Sequence, residues 1–251
     1  MTPRLHLDAP LEEGANLSLG EGQAHYVRNV LRRVVGDDLK MFNARDGEFA
    51  AVVSRADRKA VEILLGARLR PPAPESDLWL LFAPVKRDAV DRIVEKATEL
   101  GVARLMPIET ERTQAHRLNI DRLGAIATEA AEQSGRLSAP KVDELVPLAR
   151  ALENWPPPRR LIYCDEQGDD ALADWGGDTG RAPPLLSAIR SLKPPHAVLI
   201  GPEGGFSPAE RARLRALPFV CPVSLGPRIL RADTAAIAAL ALVQAALGDW
   251  R

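Results

Sequence analysis

The chain has 251 residues, of which 46% are hydrophobic, so it is long enough to bury one large core or two smaller ones. Its net charge of −1 at pH 7 excludes a globally basic nucleic-acid-binding protein, although local basic patches remain compatible with RNA. No apolar run approaches the roughly 18 residues of a membrane span, and Met1–Pro10 lacks an export-signal pattern, so we expect a cytoplasmic protein.

The first part of the chain predicts a small β-rich domain. Three strands are predicted, at Asp38–Phe42, Glu48–Ser54 and Ala60–Leu69. A hairpin turn over Arg45–Glu48 joins the first two. The proline-rich residues 71–77 indicate a stiff linker, and we therefore predict one domain over residues 1–72 and a second over residues 73–251.

One helix interrupts this β-rich part, and we predict it over Glu21–Val34, with Gly36 just beyond its end. Its inward positions have the spacing of a buried helix face: Val27, Val30, Leu31 and Val34. Its outward positions are polar or charged: His25, Arg28, Asn29 and Arg32. Two interpretations stay open, an ordinary solvated face or an RNA-binding face in which Arg28, Arg32 and Arg33 contact phosphates.

After the linker, strands and helices alternate, which predicts an α/β domain with a parallel sheet and helices on both faces. The predicted strands are Leu78–Pro84, Arg104–Ile108, Leu161–Cys164, Ala197–Ile200 and Cys221–Leu225. The predicted helices are Arg87–Leu100, Asp121–Gly135, Pro184–Leu192, one that begins at the capping box Ser207–Glu210, and Thr234–Leu247. Residues 165–183, which are rich in Gly and Asp, are predicted to form a loop.

The last predicted helix, Thr234–Leu247, is apolar almost all the way round. A helix without a polar face is buried on two sides. In a domain of this size we expect a partner subunit to cover the second side, and we therefore predict a homodimer.

The cysteines and histidines do not predict a metal site. Cys164 and Cys221 each lie in an apolar strand-like run, which favours buried reduced thiols over a disulfide. The four histidines are scattered without the spacing of zinc ligands: His6, His25, His116 and His196. We expect no bound metal.

Two glycine-containing loops, Leu199–Phe206 and Leu225–Ala235, each follow a predicted strand. Neither has the spacing of a dinucleotide-binding or P-loop motif, and the chain has no Gly-x-Ser-x-Gly elbow. Glycine lets backbone amides approach a ligand, and adjacent strand ends form small-molecule sites. One such loop alone is most simply a tight turn, but the pair predicts a site for an adenosine-containing ligand.

These two loops resemble the signature loops of the 16S ribosomal RNA uridine-N3 methyltransferases, which belong to the SPOUT superfamily. Further matching segments extend the resemblance over essentially the whole chain: His25–Leu31, Glu95–Val102, Glu111–Arg112 and Ala131–Arg136. The chain departs from the family at Asp233, where the family usually has glutamate. Aspartate is an equally good helix N-cap, so we expect it to keep a structural role there.

The resemblance implies an N-terminal PUA-like β-barrel that binds RNA and a C-terminal SPOUT domain with a deep trefoil knot. It also implies S-adenosylmethionine as cofactor, the small ribosomal subunit or its 16S RNA as partner, and a homodimer whose active site lies at the subunit interface. By analogy, the cofactor lies against Leu199, Gly201, Gly204, Gly205, Leu225, Gly226, Leu230 and Thr234.

Methylation of uracil N3 requires loss of a proton, and the resulting negative charge spreads onto O2 and O4. A preorganised arginine stabilises such charge, so Arg231 and Arg228 are catalytic candidates, with phosphate binding as the alternative role. Glu203 is the third candidate. It either orients the cofactor amine or accepts a proton through water, or it only shapes the turn.

Other candidates for RNA contacts lie outside the two loops. Lys96 forms either an ordinary ion pair with Glu99 or, by the resemblance, part of the active site. Gln133 suits a base edge, whereas Arg112 and Arg136 suit phosphates. The sequence thus predicts methylation of uridine N3 in 16S ribosomal RNA. Methylation elsewhere, such as a ribose 2′-hydroxyl, and a non-catalytic RNA-binding assembly factor are the alternatives.

Overall fold

The computed structural model describes residues 2–114, 117–165 and 181–250. Two compact units make up the chain, one of residues 1–74 with 131–139, and one of residues 75–130 with 140–251. Most of the loop predicted over residues 165–183 lies outside the described residues, and so does His116.

A five-stranded mixed sheet forms the first unit. Its strands are β1 (Arg4–His6), β2 (Asn16–Ser18), β3 (Asp38–Asn43), β4 (Gly47–Ala56) and β5 (Val61–Arg70). They lie in the order β1-β3-β4-β5-β2, with β1 parallel to β3 and the other neighbours antiparallel. The three predicted strands and the hairpin between β3 and β4 are confirmed. β1 and β2 were not predicted, because three residues are too few for a periodic signal.

The helix predicted over Glu21–Val34 is wrong in its length and in its faces. α1 spans only Glu21–His25, and a π-helical turn follows over Tyr26–Val30. The wider π turn rotates the later side chains around the axis, so a spacing of three and four residues no longer marks one face. Val30 and Val34, which were predicted to point inward, are 59% and 62% exposed.

A parallel sheet forms the centre of the second unit, as predicted. Its strands are β6 (Leu78–Phe82), β7 (Val102–Glu109), β8 (Lys141–Val142), β9 (Val146–Pro147), β10 (Arg160–Cys164), β11 (His196–Ile200) and β12 (Val220–Val223). The order is β12-β10-β11-β6-β7-β8, and β9 also pairs with β7. Every pairing in this sheet is parallel.

Helices cover both faces of this sheet. They are α2 (Arg87–Glu99), α3 (Ile120–Ser134), α4 (Leu148–Glu153), α5 (Leu185–Ile189), α6 (Pro208–Ala216) and α7 (Ala232–Leu247). Neighbouring strand residues point to opposite faces, so Leu80 packs with α2, α5 and α7, and Leu81 packs with α4 and α6. The predicted helices are confirmed with small shifts at their ends. The six-residue α4 was not predicted.

Specific residues fix the helix ends near the sheet edge. Gly101, with φ of 81°, ends α2, and a Cβ there would collide with the Gln244 side chain of α7. Gln244 is fully buried and donates from Nε2 to the Leu100 carbonyl at 2.6 Å, which ties the end of α7 to the end of α2. At the start of α6, Ser207 Oγ accepts from the Glu210 N–H and the Glu210 carboxylate accepts from the Ser207 N–H, so the predicted capping box is confirmed.

α7 buries one side against the sheet and its helices. The buried side chains are small or aliphatic: Ala236, Ala239, Leu240 and Val243. Ile237 on the same helix is 37% exposed. Among the described residues, no helix is both long and apolar enough to cross a membrane.

Candidate functional site

The two glycine-containing loops line one open cavity of about 630 Å³. They follow β11 and β12, which flank β10 in the sheet. Cys164 at the end of β10 and the next residue, Asp165, line the same cavity. The first loop contributes Gly201, Pro202, Glu203 and Gly205. The second contributes Leu225, Gly226, Arg228, Ile229 and Leu230. The cavity thus lies at the carboxyl ends of three adjacent parallel strands, where open α/β sheets bind their ligands.

Packing inside the first loop accounts for its leading glycine. A Cβ on Gly201 would lie 2.6 Å from the ring of Phe206. Phe206 is 1% exposed and meets Tyr163 of β10 edge to face, with ring centroids 5.1 Å apart. Because Gly201 has no side chain, the Phe206–Tyr163 pair can fill the base of the loop. This packing role is separate from any contact of Gly201 with a ligand.

A buried carboxylate at the cavity edge was not predicted from the sequence. Asp165 directly follows β10, is 1% exposed and pairs with two arginines of α6. Arg211 Nε lies 2.9 Å and an Arg215 guanidinium nitrogen 2.6 Å from its Oδ2. These ion pairs fasten α6 beside the cavity. The sequence did contain a signal that could have indicated this cluster. Asp165 directly follows an apolar strand, and Arg211 and Arg215 are four residues apart on one predicted helix.

The second loop carries exposed side chains. Gly226 has φ of 106°, a backbone conformation that glycine adopts without strain. Arg228 is exposed and lines the cavity, and Ile229 beside it is 90% exposed. Arg231 is exposed as well, but it is the N-cap of α7 and is not among the described residues that line this cavity.

Asp233 is not the helix N-cap that we expected, because Arg231 holds that position. Asp233 lies in the first turn of α7, and its carboxylate accepts a hydrogen bond from Arg92 of α2 at 3.0 Å. Partial burial acts to raise the pKa of Asp233, but hydrogen bonds from Arg92 and from the Thr234 N–H outweigh it and hold the pKa below its ordinary value. The shorter carboxylate therefore joins α7 to α2 directly beside the second loop.

Most of the predicted cofactor contacts meet in this cavity. Five of them line it: Gly201, Gly205, Leu225, Gly226 and Leu230. Three lie elsewhere. Leu199 is fully buried in the core on the α4 and α6 face of the sheet, Gly204 lines a neighbouring cavity, and Thr234 is exposed on α7.

That neighbouring cavity, of about 530 Å³, shares Pro202 and Glu203 with the first. Arg112, predicted as a phosphate ligand, lines it and donates a hydrogen bond to the Gly204 carbonyl at 2.8 Å. The arginine therefore supports the first loop in this structure. Lys86 and Gln114 complete the polar lining.

The remaining RNA-contact candidates have varied surroundings. Lys96 lies 2.8 Å from both Glu95 and Glu99, and these hydrogen-bonded carboxylates raise the pKa of Lys96. Arg136 is 9% exposed and donates to Ser138, whereas Gln133 is exposed.

Two of the three arginines predicted as RNA contacts in the first unit lie near acceptors. Arg28 donates to the Asp57 carbonyl, and an Arg33 guanidinium nitrogen lies 3.9 Å from an Asp37 oxygen. Arg32 is exposed with φ of 53°, a backbone conformation that non-glycine residues seldom adopt. Within the described ranges, no group of three or more His, Cys, Asp or Glu side chains is arranged to hold a metal ion.

Two family models match the chain. A model described as an RNA methyltransferase domain matches residues 72–244. A model described as an RNA methyltransferase PUA domain matches residues 19–65. The two matches lie one after the other and together extend from residue 19 to residue 244.

Similar proteins and structures match the chain along nearly its whole length. Ribosomal RNA small subunit methyltransferase E of Rickettsia conorii is 31% identical over 243 residues, covering 96% of this chain and 94% of that protein. A putative methyltransferase from Legionella pneumophila, solved with bound SAM, is 30% identical with a TM-score of 0.81 and 99% coverage of both chains. Ribosomal RNA small subunit methyltransferase E from Neisseria gonorrhoeae, bound to S-adenosyl methionine, is 25% identical with a TM-score of 0.81 and complete coverage of both.

Proposed function

The chain belongs to the RNA methyltransferase family whose model spans residues 72–244, and from this membership we infer that it is an S-adenosylmethionine-dependent enzyme acting on ribosomal RNA. It methylates N3 of a uridine in the 16S RNA of the small subunit. The observation that carries this function is the cavity formed by both glycine-containing loops at the ends of β10, β11 and β12.

The first cavity fits this cofactor. It is an open cleft at the carboxyl ends of adjacent parallel strands, the place where open α/β sheets bind their ligands. Ile200, Leu225 and Leu230 give it an apolar wall suited to an adenine ring, and the glycine positions expose backbone polar groups. When bound, S-adenosylmethionine supplies an electrophilic methyl group on its sulfonium.

Glu203 is the proposed proton acceptor. It lines both cavities, so its carboxylate is available to a base in the second cavity while bordering the cofactor site in the first. We assign it to receive the N3 proton through water, a role that contributes about 10²- to 10⁴-fold in enzymes that use it.

Arginines of the second loop are the proposed source of charge stabilisation. Arg228 lines the cofactor cavity, and Arg231 caps the helix that follows. A guanidinium directed at uracil O2 and O4 stabilises the negative charge left when N3 loses its proton. In this assignment Arg228 acts from within the first cavity. Arg231 acts outside that cavity, on the uracil base as the base approaches.

The proposal extends to the whole molecule. Residues 1–72 form a PUA-like RNA-binding domain, supported by the family match over residues 19–65. Residues 73–251 form a SPOUT methyltransferase domain with a trefoil knot, as the resemblance of its loops implies. The protein acts in the cytoplasm as a homodimer, and the partly exposed Ile237 on the apolar α7 supports a subunit contact there.

Nucleoside analysis tests the proposed function. Small ribosomal subunits lacking the modification are incubated with protein and S-adenosylmethionine, and the RNA is digested for mass spectrometry. We expect N3-methyluridine, and much less of it with the Glu203→Gln variant. A 2′-O-methyl nucleoside would support transfer to ribose instead. Absence of both transfer and cofactor binding in calorimetry would support a non-catalytic RNA-binding role.

A further inference from the structure

Three open cavities of the second unit follow one another. The first and second share Pro202 and Glu203, as described above. The second shares Val85 with a third cavity of about 670 Å³, which is lined by Arg87, Val90, Arg117, Leu118, Asn119 and Arg122. The three cavities therefore border one another in turn, from the first cavity to the N-terminus of α2, and we call this series the path.

The second and third cavities are strongly cationic. Their lining contains five basic side chains: Lys86, Arg87, Arg112, Arg117 and Arg122. Glu203 is the one carboxylate that lines either of them in the part of the chain described here. A groove lined mainly by positive charge attracts a polyanion, although the chain as a whole has a net charge of −1.

Three of these cations are available to a ligand. Arg112 is bonded to the Gly204 carbonyl, and Arg122 lies 2.5 Å from Asp91. Lys86, Arg87 and Arg117 are exposed and have no ion pair or side-chain hydrogen bond within residues 2–114, 117–165 and 181–250.

Two of the available cations also lie where they disfavour their own helix. Lys86 is the N-cap and Arg87 the first residue of α2, and cations at a helix N-terminus are opposed by the helix dipole. An anion at that position relieves the repulsion between these cations and the helix dipole. Asp88 in the same turn offsets part of this charge, so Lys86 and Arg87 together leave a net positive charge that favours an anion there.

We propose that this path binds the single RNA strand that carries the target nucleotide. The target base occupies the second cavity, where Gln114 offers an amide to the uracil edge. The backbone next to it runs into the third cavity, where Arg87 and Arg117 bind its phosphates. This proposal rests on the proposed function, because it takes the first cavity as the cofactor site.

The test replaces both phosphate ligands, in the variant Arg87→Ala/Arg117→Ala. Methyl transfer to small ribosomal subunits is measured over a series of salt concentrations. We expect a higher KM for subunits, an unchanged KM for S-adenosylmethionine, and a slope of log KM against log salt that is lower by about 1.4, since each contact to a single strand contributes about 0.7.

Two further variants make the result decisive. Arg150→Ala/Arg213→Ala removes the same charge from exposed positions on α4 and α6, which pack on the other face of the sheet. Arg87→Lys/Arg117→Lys keeps the charge and should restore the subunit KM. If the first variant matches the α4 and α6 control, or if lysines do not restore the KM, the RNA path is wrong. If the parent protein itself makes no N3-methyluridine, the proposed function fails instead.

Discussion

Gly201 has no room for a side chain, because the Phe206 ring occupies the position of a Cβ at 2.6 Å. Phe206 in turn is held against Tyr163 in the core, so it cannot move aside cheaply. The same residue that opens the first loop to a ligand therefore also fixes how the loop packs on the sheet.

We expect Gly201→Ala to lower the free energy of unfolding by about 1–3 kcal/mol, the usual effect of overpacking a dense core. Urea denaturation measures it. The matched control is Gly124→Ala, within α3, where a Cβ meets nothing within 4 Å. That change should leave stability equal or raise it by up to about 1 kcal/mol, because alanine is the better helix former. Equal effects of the two substitutions would contradict the packing role of Gly201.

The arginines of the second loop give a residue-scale prediction about chemistry. Arg231→Ala and Arg228→Ala should each lower methyl transfer by about 100-fold, the scale seen when one preorganised donor to a developing charge is removed. The Kd for S-adenosylmethionine should stay within a few-fold. Arg213→Ala, on the exposed side of α6, is the control. Unchanged turnover in either variant would remove that arginine from the mechanism.

At the scale of elements, α6 begins directly after the first glycine-containing loop, and Glu210 in its first turn fixes its position. Glu210 accepts a hydrogen bond from the Ser207 N–H and another from the Glu111 N–H, both at 2.9 Å. A carboxylate at a helix N-terminus also interacts favourably with the helix dipole. One side chain thus closes the capping box and holds the loop that carries Arg112 against α6.

We expect Glu210→Ala to destabilise the protein about twice as much as Ser207→Ala, at about 2 and about 1 kcal/mol. The difference arises because the glutamate serves two backbone donors and the serine serves one. Thermal or urea unfolding of both variants gives the comparison. An equal loss would mean that the bond to Glu111 adds nothing.

The helical segment of the first unit shows how an element departs from its sequence pattern. Val27, Val30, Leu31 and Val34 have ideal α-helical spacing, yet α1 gives way to a π turn after His25. Local spacing does not determine the hydrogen-bond register when tertiary packing favours another one. The sequence therefore predicted the positions of Arg28 and Arg32 on the surface only approximately.

At the scale of the whole molecule, one buried histidine links stability to pH. His196 begins β11, is 5% exposed, and neither ring nitrogen has a hydrogen-bond partner among the described residues. Burial, and then the positive charge of Arg159, lower the pKa of His196 from its ordinary value of 6.5. The folded protein therefore disfavours the protonated form of this imidazole.

We expect the free energy of unfolding to fall as pH drops below about 6.5, because His196 binds a proton more weakly in the folded protein than in the unfolded chain. The fall continues down to the lowered pKa of the folded state. His196→Leu should make the loss between pH 7.5 and pH 5.5 smaller. His6, whose pKa burial also lowers, accounts for part of what remains. An unchanged pH slope in His196→Leu would contradict this account, and His25→Gln at an exposed position serves as control.

The proposed dimer is the second prediction at this scale. Sedimentation should show a dimer at micromolar concentration, and Ile237→Lys should weaken it by placing a charge on the exposed side of α7. The substitution should leave the secondary structure unchanged, as circular dichroism can verify. A stable monomer of the parent protein would defeat the prediction.

Much of the second unit was predictable because its elements carry strong local signals. The alternation of apolar strands with helices, the Ser207 capping box and Gly101 at the end of α2 are each legible within a few residues. The two loops were found for the same reason. Asp165 was not singled out, and of the two roles of Glu210 only its part in the capping box was predicted. The partners Arg211, Arg215 and Glu111 lie far away in the sequence and meet these carboxylates only after folding.

The sequence by itself determined the strands of the parallel sheet, most of its helices, and the two loops whose pattern led to the methyltransferase family. Only the tertiary structure decided that Glu203 borders two cavities and that Lys86, Arg87 and Arg117 line the cavities that follow the first. The physical reason is the distance along the chain over which each effect acts. Periodicity, capping and turn chemistry act between neighbours in the chain, whereas cavities and charge clusters form from side chains that the sheet order brings together.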